Sequence, residues 1–480
     1  MTEAADQLLS TPGPILGDGA DTILGSAGPS DGWRNRAKVA VPDGTILPTG
    51  RVKDGTVGGR GRGPVPPIVG AVTTHTHLSR RKLLISGAGL TALAAVGTLA
   101  GTAGHAVADS TPASPPTPPR LSLPAPTGRY RVGTTAMHLV DRSRTDPLAP
   151  SSRPRELMVR LWYPAAAGRQ PAAGYLTPGV ADVLTAQLNA ASGTDYPAGL
   201  LTFPTHSGQN APAAGGSRWP IVLFSPGLAT NAALYTGLTE HLASRGYIVA
   251  GIDHTFEAVV EFPGGRIETP PGQVSGDVVL PVRVADTLFV LDQLTAIAAG
   301  HHNAVAHRLP AGLADALDAT IVAAVGHSIG SLAVIEALDR DPRIDAGAAL
   351  DGWPLGAASL AQPFLMMGNQ SHRRVDDPDW AAFYDRLRGA RLHLVVDGAG
   401  HYDFTDVTVF KATLDLSALF DIGPITGARA LDIERAYLTA WLDRSLLERA
   451  SPCWPASLAA SQKSTSSPDP PPSPRPSRGL

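Results

Sequence analysis

The sequence predicts an α/β fold: a mostly parallel central sheet with helices on both faces, in a single domain. Three observations predict it. Short apolar runs recur through the middle of the chain, each strand-sized and too uniformly apolar to have a wet face. Segments with apolar residues at three- and four-residue spacing separate them. One run, Thr320-Ile321-Val322-Ala323-Ala324, passes through Val325-Gly326-His327-Ser328-Ile329-Gly330 directly into a helix-forming run over 332–338. That is strand, G-x-S-x-G and helix, with a serine on the bend.

The elements follow in chain order. Residues 156–163 read as a strand with Leu157, Val159, Leu161 and Tyr163 on one face. Residues 220–225 read as a buried strand, and 234–244 as a helix closed by Arg245-Gly246, where glycine suits the C-terminal cap. A buried strand over 247–252 comes next, then a helix over 284–297 with apolar residues at 284, 288, 291 and 294. The serine strand and helix follow. Short strands are expected over 346–350, 364–367 and 391–396, and a closing helix over 433–447. Buried strands alternating with helices require a sheet covered on both faces. One sizeable domain over 129–450 accommodates all of them.

The flanks differ in composition. Residues 1–70 are rich in Gly, Pro, Asp and Arg, lack hydrophobic periodicity, and read as a disordered extension or a misassigned start with initiation near Val72. Residues 71–108 carry Ser79-Arg80-Arg81-Lys82-Leu83-Leu84, a mild Gly/Ala/Leu run, and Ala106-Val107-Ala108 as an A-x-A-like cleavage site. Paired arginines before a weakly apolar run resemble a twin-arginine export signal, so the expected location is secreted or extracytoplasmic; an uncleaved membrane anchor is the alternative. Residues 109–128 form a Pro/Ser/Thr linker and 451–480 a disordered Ser/Pro-rich tail. A net charge of −3 leaves no basic footprint for nucleic acid. The single cysteine, Cys453, excludes an intrachain disulfide and a thiolate metal cluster, and no metal or other cofactor is expected.

A serine hydroxyl needs a base within hydrogen-bond reach, and that base needs an orienting acid. The α/β-hydrolase order is Ser, Asp/Glu, His, each at the C-terminal end of a strand. His401 is the leading base, in a glycine-loosened loop after the last expected strand; His393, His372 and His327 are weaker candidates, and His301, His302 and His307 read as solvated loop residues. The acid is less determined. Asp351 directly follows the strand over 346–350 beside Gly352, and has a slim lead over Asp376 and Asp377 after the next strand; Asp397 reads as a loop cap. An oxyanion site needs two backbone N–H groups, expected from Ile329 and from Leu228 in Phe224-Ser225-Pro226-Gly227-Leu228.

These stretches resemble the platelet-activating factor acetylhydrolases of the plasma (isoform II) type, and more closely their bacterial secreted esterase or lipase-like relatives. The resemblance rests on Phe224–Leu228, Gly326-His327-Ser328-Ile329-Gly330, Ala349-Leu350-Asp351-Gly352-Trp353-Pro354 and the His401 loop. It extends to Arg155–Pro164 and Asp286–Leu294, and covers roughly residues 129–448. It implies an α/β-hydrolase fold, no metal, Ser328 as nucleophile, Asp351 as acid, His401 as base, and Leu228 and Ile329 as oxyanion donors. Ser331 stands where a second glycine is common and Pro226 where a histidine is common.

The expected function is serine ester hydrolysis through an acyl-enzyme, on short-acyl phospholipids or other lipid and small esters. A secreted polyester or triglyceride hydrolase of cutinase or lipase type is the alternative within hydrolases, and a peptidase a further one. A non-catalytic binding protein of the same fold is the alternative of another class. The apolar residues of 255–283 (Phe256, Val259, Val260, Phe262, Val279, Leu280) suit either a peripheral membrane contact or a buried lid. His254 suits a structural hydrogen-bonding role.

Overall fold

The computed structural model describes residues 119–449 except 273, 302–308 and 355–357, with the backbone of two short upstream strands, β1 (Thr22–Leu24) and β2 (Lys38–Val39). The rest of 1–118 and residues 450–480 lie outside the described residues, and with them the export-type segment, the first half of the linker, Cys453 and the tail.

The folded region opens with β3 (Arg131–Thr145), β4 (Pro154–Ala165), β5 (Ala172–Gly174), α1 (Pro178–Ser192) and β6 (Pro204–Gln209). Next come β7 (Trp219–Ser225), α2 (Thr236–Arg245), β8 (Ile248–Asp253), a hairpin of β9 (Val260–Phe262) and β10 (Arg266–Glu268), and α3 (Gly276–Ala298). A short α4 (Leu313–Ala316) leads into β11 (Leu317–His327), α5 (Ile329–Arg340), β12 (Ala346–Leu350) and β13 (Phe364–Asn369). The described residues finish with α6 (Pro378–Arg386), β14 (Arg391–Val396), α7 (Val407–Phe410) and α8 (Gly427–Leu447).

The main sheet runs β2-β1-β14-β13-β12-β11-β7-β8-β4-β3-β6-β5. From β1 to β8 the neighbours are parallel; β4 joins β8 antiparallel and β3 pairs antiparallel with β4. This is the mostly parallel, doubly covered sheet that the sequence predicts. The alternation within β7 shows why both faces must be covered. Ile221 and Leu223 enter one apolar cluster with Val290 and Leu291 of α3, Val334 of α5 and Phe383 of α6. Val222 and Phe224 enter the other, with Leu238 and Leu242 of α2 and Leu438 and Trp441 of α8. Each such side chain, fully buried, contributes about 1.5–3 kcal/mol of transfer free energy, so neither face can be left wet.

Several elements are not expected from the sequence. The 15-residue β3 has no clean alternation because Thr134 and Thr135 are both buried. The fold satisfies them: Thr134 donates to the Leu161 carbonyl at 2.8 Å and Thr135 to Asn210 Oδ1 at 2.7 Å. Helix α3 begins at Gly276 rather than 284 and runs through Pro281, which forgoes one backbone bond near the helix start. The helix expected over 234–244 is a 3-10 turn, Ala232–Tyr235, followed by α2, and Gly246 closes it at φ 103°.

Phe256, Val259, Val260, Phe262 and Val279 are buried, not exposed on a rim. These five apolar side chains are therefore interior packing, while Leu280 is half-buried and Val278 is 43% exposed. No helix among the described residues is long and apolar enough to cross a membrane.

Candidate active site

Strand register brings the site together. His327 pairs with Leu350 and Leu350 with Met367, so the residues following β11 and β12 emerge level at the C-terminal edge of the sheet. Those residues are Ser328 and Asp351. Both are held at positive φ, 56° and 46°, as is Ala229 at 58° in the loop after β7. Such conformations cost of order 1–3 kcal/mol each. Close packing holds the serine bend in place: a Cβ on Gly330 would lie 2.0 Å from the Ser225 carbonyl oxygen, and one on Gly326 would lie 2.2 Å from that of Gly330. The Ser328 N–H donates to the Leu350 carbonyl at 3.0 Å.

His401 opens a 3-10 turn, His401–Phe404, after β14. The buried Asp403 carboxylate fixes that loop, accepting from the N–H groups of Gly400 (2.8 Å) and Gly423 (2.6 Å) and from Lys411 Nζ (2.5 Å). His401 Nδ1 meets Asp351 Oδ2 at 2.6 Å. A carboxylate only accepts, so Nδ1 carries the proton and the neutral ring keeps Nε2 as its acceptor. Asp351 also accepts from the Asn369 N–H at 2.6 Å and from Asn369 Nδ2 at 3.0 Å. Burial alone would raise its carboxyl. The nearby His372 and the hydrogen bonds from His401 and Asn369 outweigh burial and hold it below the usual range.

Of the rival acids, Asp377 faces away from His401: it accepts from His372 Nδ1 at 3.0 Å and caps α6 through the N–H groups of Asp379 and Trp380. Asp376 is exposed, its N–H bonded to the Arg373 carbonyl. His372 lies between Asp377 and Asp351 Oδ1 (3.7 Å) and stacks on Trp380 at 4.6 Å. His393 is buried in β14, within reach of Arg374 Nε at 3.2 Å. His301 is exposed, while His302 and His307 lie outside the described residues.

His327 is a structural link. Its Nε2 faces the His401 carbonyl at 3.1 Å, so Nε2 must donate and Nδ1 must accept. Nδ1 accepts a hydrogen bond from the Tyr235 hydroxyl at 2.8 Å, and that hydroxyl oxygen accepts from the Gly227 N–H at 3.0 Å. One hydrogen-bonded chain thus joins the loop after β7, the serine bend and the His401 loop. Burial and the neighbouring His401 push His327 down to about 3, which keeps it neutral for this task.

The loop after β7 touches the serine: a Cβ on Gly227 would lie 3.4 Å from Ser328 Cβ. Ile329 opens α5, where the first N–H groups have no intrahelical partner. Among the described residues neither the Leu228 nor the Ile329 N–H finds a protein acceptor. Ser331 is fully buried and donates to the Gly326 carbonyl at 2.7 Å, so its side chain braces the bend. No group of three or more His, Cys, Asp or Glu side chains among the described residues is placed to hold a metal ion.

Sequence reasoning misses Asn369, Tyr235 and Arg283. Tyr235 and Asn369 carry no local signal. Arg283 does: it is a lone charge in the apolar run Val279-Leu280-Pro281-Val282-Arg283-Val284-Ala285, the mark of a buried, paired group.

A mostly parallel sheet, a serine bend, and an imidazole tied to a buried carboxylate at one sheet edge define an α/β hydrolase. A solved structure of a ferulic acid esterase from Streptomyces cinnamoneus shares this fold, with TM-score 0.59 and 35% identity over 69% of this chain and 95% of that one. A probable 1-alkyl-2-acetylglycerophosphocholine esterase of Arthroderma benhamiae is 30% identical over 383 residues, 71% of this chain and 91% of that protein. The platelet-activating factor acetylhydrolase of Cavia porcellus is 26% identical over 266 residues, 49% of this chain and 60% of that protein. The class is therefore carboxylic ester hydrolase. Residues 117–260 and 279–463 match the family of platelet-activating factor acetylhydrolase, isoform II, and the chain belongs to it.

Proposed function

We propose that this protein hydrolyses short-acyl phospholipid esters or related small esters through an acyl-enzyme on Ser328. The observation that carries the mechanism is the 2.6 Å bond from His401 Nδ1 to the buried Asp351, at strand ends level with the serine bend. Ser328 attacks the ester carbonyl as His401 Nε2 takes its proton. The N–H groups of Leu228 and Ile329 bind the oxyanion. His401 returns the proton to the leaving alkoxide, then draws a proton from the water that attacks the acyl carbon and passes it to Ser328 Oγ as the acyl–serine bond breaks and the acid leaves. Asp351 keeps the imidazole in the required tautomer and stabilises its charged form.

The short-acyl reading is supported by the Arthroderma relative, named as a probable esterase of an acetyl phospholipid. A second reading, a simple or aromatic ester substrate, is supported by the 35% identity to a ferulic acid esterase. An acyl-chain series of p-nitrophenyl esters, run beside a short-acyl phospholipid and a feruloyl ester, separates them. Preference for acetyl phospholipid is expected; preference for the feruloyl ester would replace the first reading with the second. The twin-arginine-type segment supports action outside the cytoplasm, and fractionation of cells expressing an Arg80→Lys, Arg81→Lys precursor tests this: retention in the cytoplasm is expected.

A further inference from the structure

Behind the loop that carries Leu228 lies a buried cation with no part in the chemical steps at Ser328. Arg283 of α3 is 1% exposed. Its Nε donates to Glu257 Oε2 at 2.6 Å. Its Nη1 donates to the Pro226 carbonyl at 2.5 Å and its Nη2 to the Gly227 carbonyl at 3.1 Å. Two successive carbonyls of the loop therefore point at one guanidinium.

That fixes where the N–H groups point. In a trans peptide the C=O of one residue and the N–H of the next are antiparallel. The Pro226 carbonyl faces Arg283, so the Gly227 N–H must point the other way, and it does: it reaches Tyr235 Oη at 3.0 Å. The Gly227 carbonyl faces the same guanidinium and also accepts from Thr230 Oγ1 at 2.8 Å. The Leu228 N–H must then point away from Arg283, in a loop that packs beside the serine bend, where a Cβ on Gly227 would lie 3.4 Å from Ser328 Cβ.

The guanidinium is itself held rigidly. Glu257 pairs with it, and Ser225 Oγ lies 3.4 Å from Nη1. Ser225 is in turn bonded to His254 Nε2 at 3.1 Å, and His254 Nδ1 to Asp286 Oδ2 at 2.9 Å. Left unbraced, the plane between Gly227 and Leu228 could rotate its carbonyl toward the serine, presenting negative charge where negative charge develops.

We propose that Arg283 is a positioning residue for the oxyanion site: it grips the Pro226 and Gly227 carbonyls from behind and so aims the Leu228 N–H at the reacting carbonyl oxygen. The inference rests on Ser328 being the nucleophile. Arg283 touches no substrate, and its effect is exerted through the loop.

The test uses the full chain with Arg283→Lys, which keeps the charge but loses the two-pronged grip. The paired change Arg283→Met with Glu257→Gln removes both charges, so that no lone carboxylate is left buried. Rates are measured on p-nitrophenyl acetate and on its thiono analogue. Sulfur is the weaker hydrogen-bond acceptor, so the oxo-to-thiono rate ratio reports on the oxyanion donors. Removing one such donor costs on the order of a hundredfold or more in kcat. For a mis-aimed donor we expect a roughly ten- to hundredfold fall in kcat with KM little changed. The oxo-to-thiono ratio should fall with it, while thermal unfolding stays cooperative. A fall in kcat that is equal for the two esters, or an unchanged kcat per folded molecule, overturns the proposal. Ser328→Ala in the same assay tests the underlying reading separately: if that variant keeps its activity, the nucleophile assignment fails whatever Arg283 does.

Discussion

This molecule brings a serine, a histidine and an aspartate together in two places, and the surroundings of the two differ. In the first, His401 bonds Asp351 beside the bend that carries Ser328. In the second, Ser225 Oγ bonds His254 Nε2 at 3.1 Å and His254 Nδ1 bonds Asp286 at 2.9 Å. The hydrogen-bond polarity of the second is that of a nucleophile and its base. Its surroundings are not. Arg155 clasps Asp286 through Nε at 3.1 Å and Nη2 at 2.7 Å, with Arg144 at 2.9 Å, and Arg283 stands next to Ser225. Burial, then the Arg283 charge, push His254 down to about 4, so it resists the proton that a general base must accept. Asp351 is instead bonded by the neutral Asn369. Ser225 ends an ordinary strand, whereas Ser328 is held at positive φ, and the Leu228 and Ile329 N–H groups near it have no acceptor among the described residues. If Ser328 is the nucleophile as proposed, neighbouring cations, strain and open donors decide reactivity at the two places, rather than residue type.

The comparison can be broken most directly at the serines. Ser328→Ala should lower kcat by on the order of 10⁵–10⁶-fold and leave the fold intact. Ser225→Ala should change kcat by less than about tenfold and cost about 1–3 kcal/mol in urea unfolding, since His254 Nε2 loses its partner. Comparable rate losses in the two variants would erase the distinction.

At the aspartates the same contrast should appear in a weaker form. Asp351→Asn should cost about 10⁴-fold in kcat by imposing the wrong tautomer on His401. Asp286→Asn should leave turnover per folded molecule within about tenfold but cost about 3–5 kcal/mol of stability, because Arg155 is left with buried, incompletely paired charge. A stability loss confined to Asp351→Asn would invert the reading.

The smallest effect concerns pH. His254 and His327, lowered to about 4 and about 3, bind protons in the unfolded chain near pH 6.5 but resist them in the fold. At these two sites the unfolded state then holds more protons, so their contribution to stability falls as pH drops from about 6.5 toward 4; the buried carboxyls of Asp253, Glu257 and Asp406, which burial raises to about 6, about 7 and about 8, act in the opposite sense. Each of the two histidines takes away up to about 1.4 kcal/mol for every pH step of one across this window. Below about pH 4 the depressed carboxyls of Asp351 and Asp286 add their own loss. The difference in urea-unfolding stability between wild type and His254→Gln isolates the histidine: measured from about pH 6.5 to 4, it should shift against the wild type as pH falls. A difference that stays constant across this range would count against the buried-histidine account.

Much of this is legible in the sequence, for physical reasons. The strands β7, β11, β12, β13 and β14 are short and largely apolar on both faces, so their C-terminal ends stand out against the loops, and Ser328, Asp351 and His401 lie just beyond three of them. The choice among Asp351, Asp376 and Asp377 is not legible from spacing, since each follows a strand; it turns on which carboxylate faces His401 Nδ1. Strand β3 is hidden because buried threonines mimic a polar face. Arg283 and Tyr235 are hidden because their partners lie far away in the chain, although a single arginine amid valines signals that some buried partner exists.

The register that levels β11, β12 and β13 also has a bearing on how the chain acquires activity. The groups around Ser328 follow several strands spread between Trp219 and Val396, and Leu228, Asp351 and His401 each lie on a different loop. Such non-local pairings form late and together. During refolding, regain of turnover should therefore track completion of the whole sheet, and proteolytic fragments should show no partial activity.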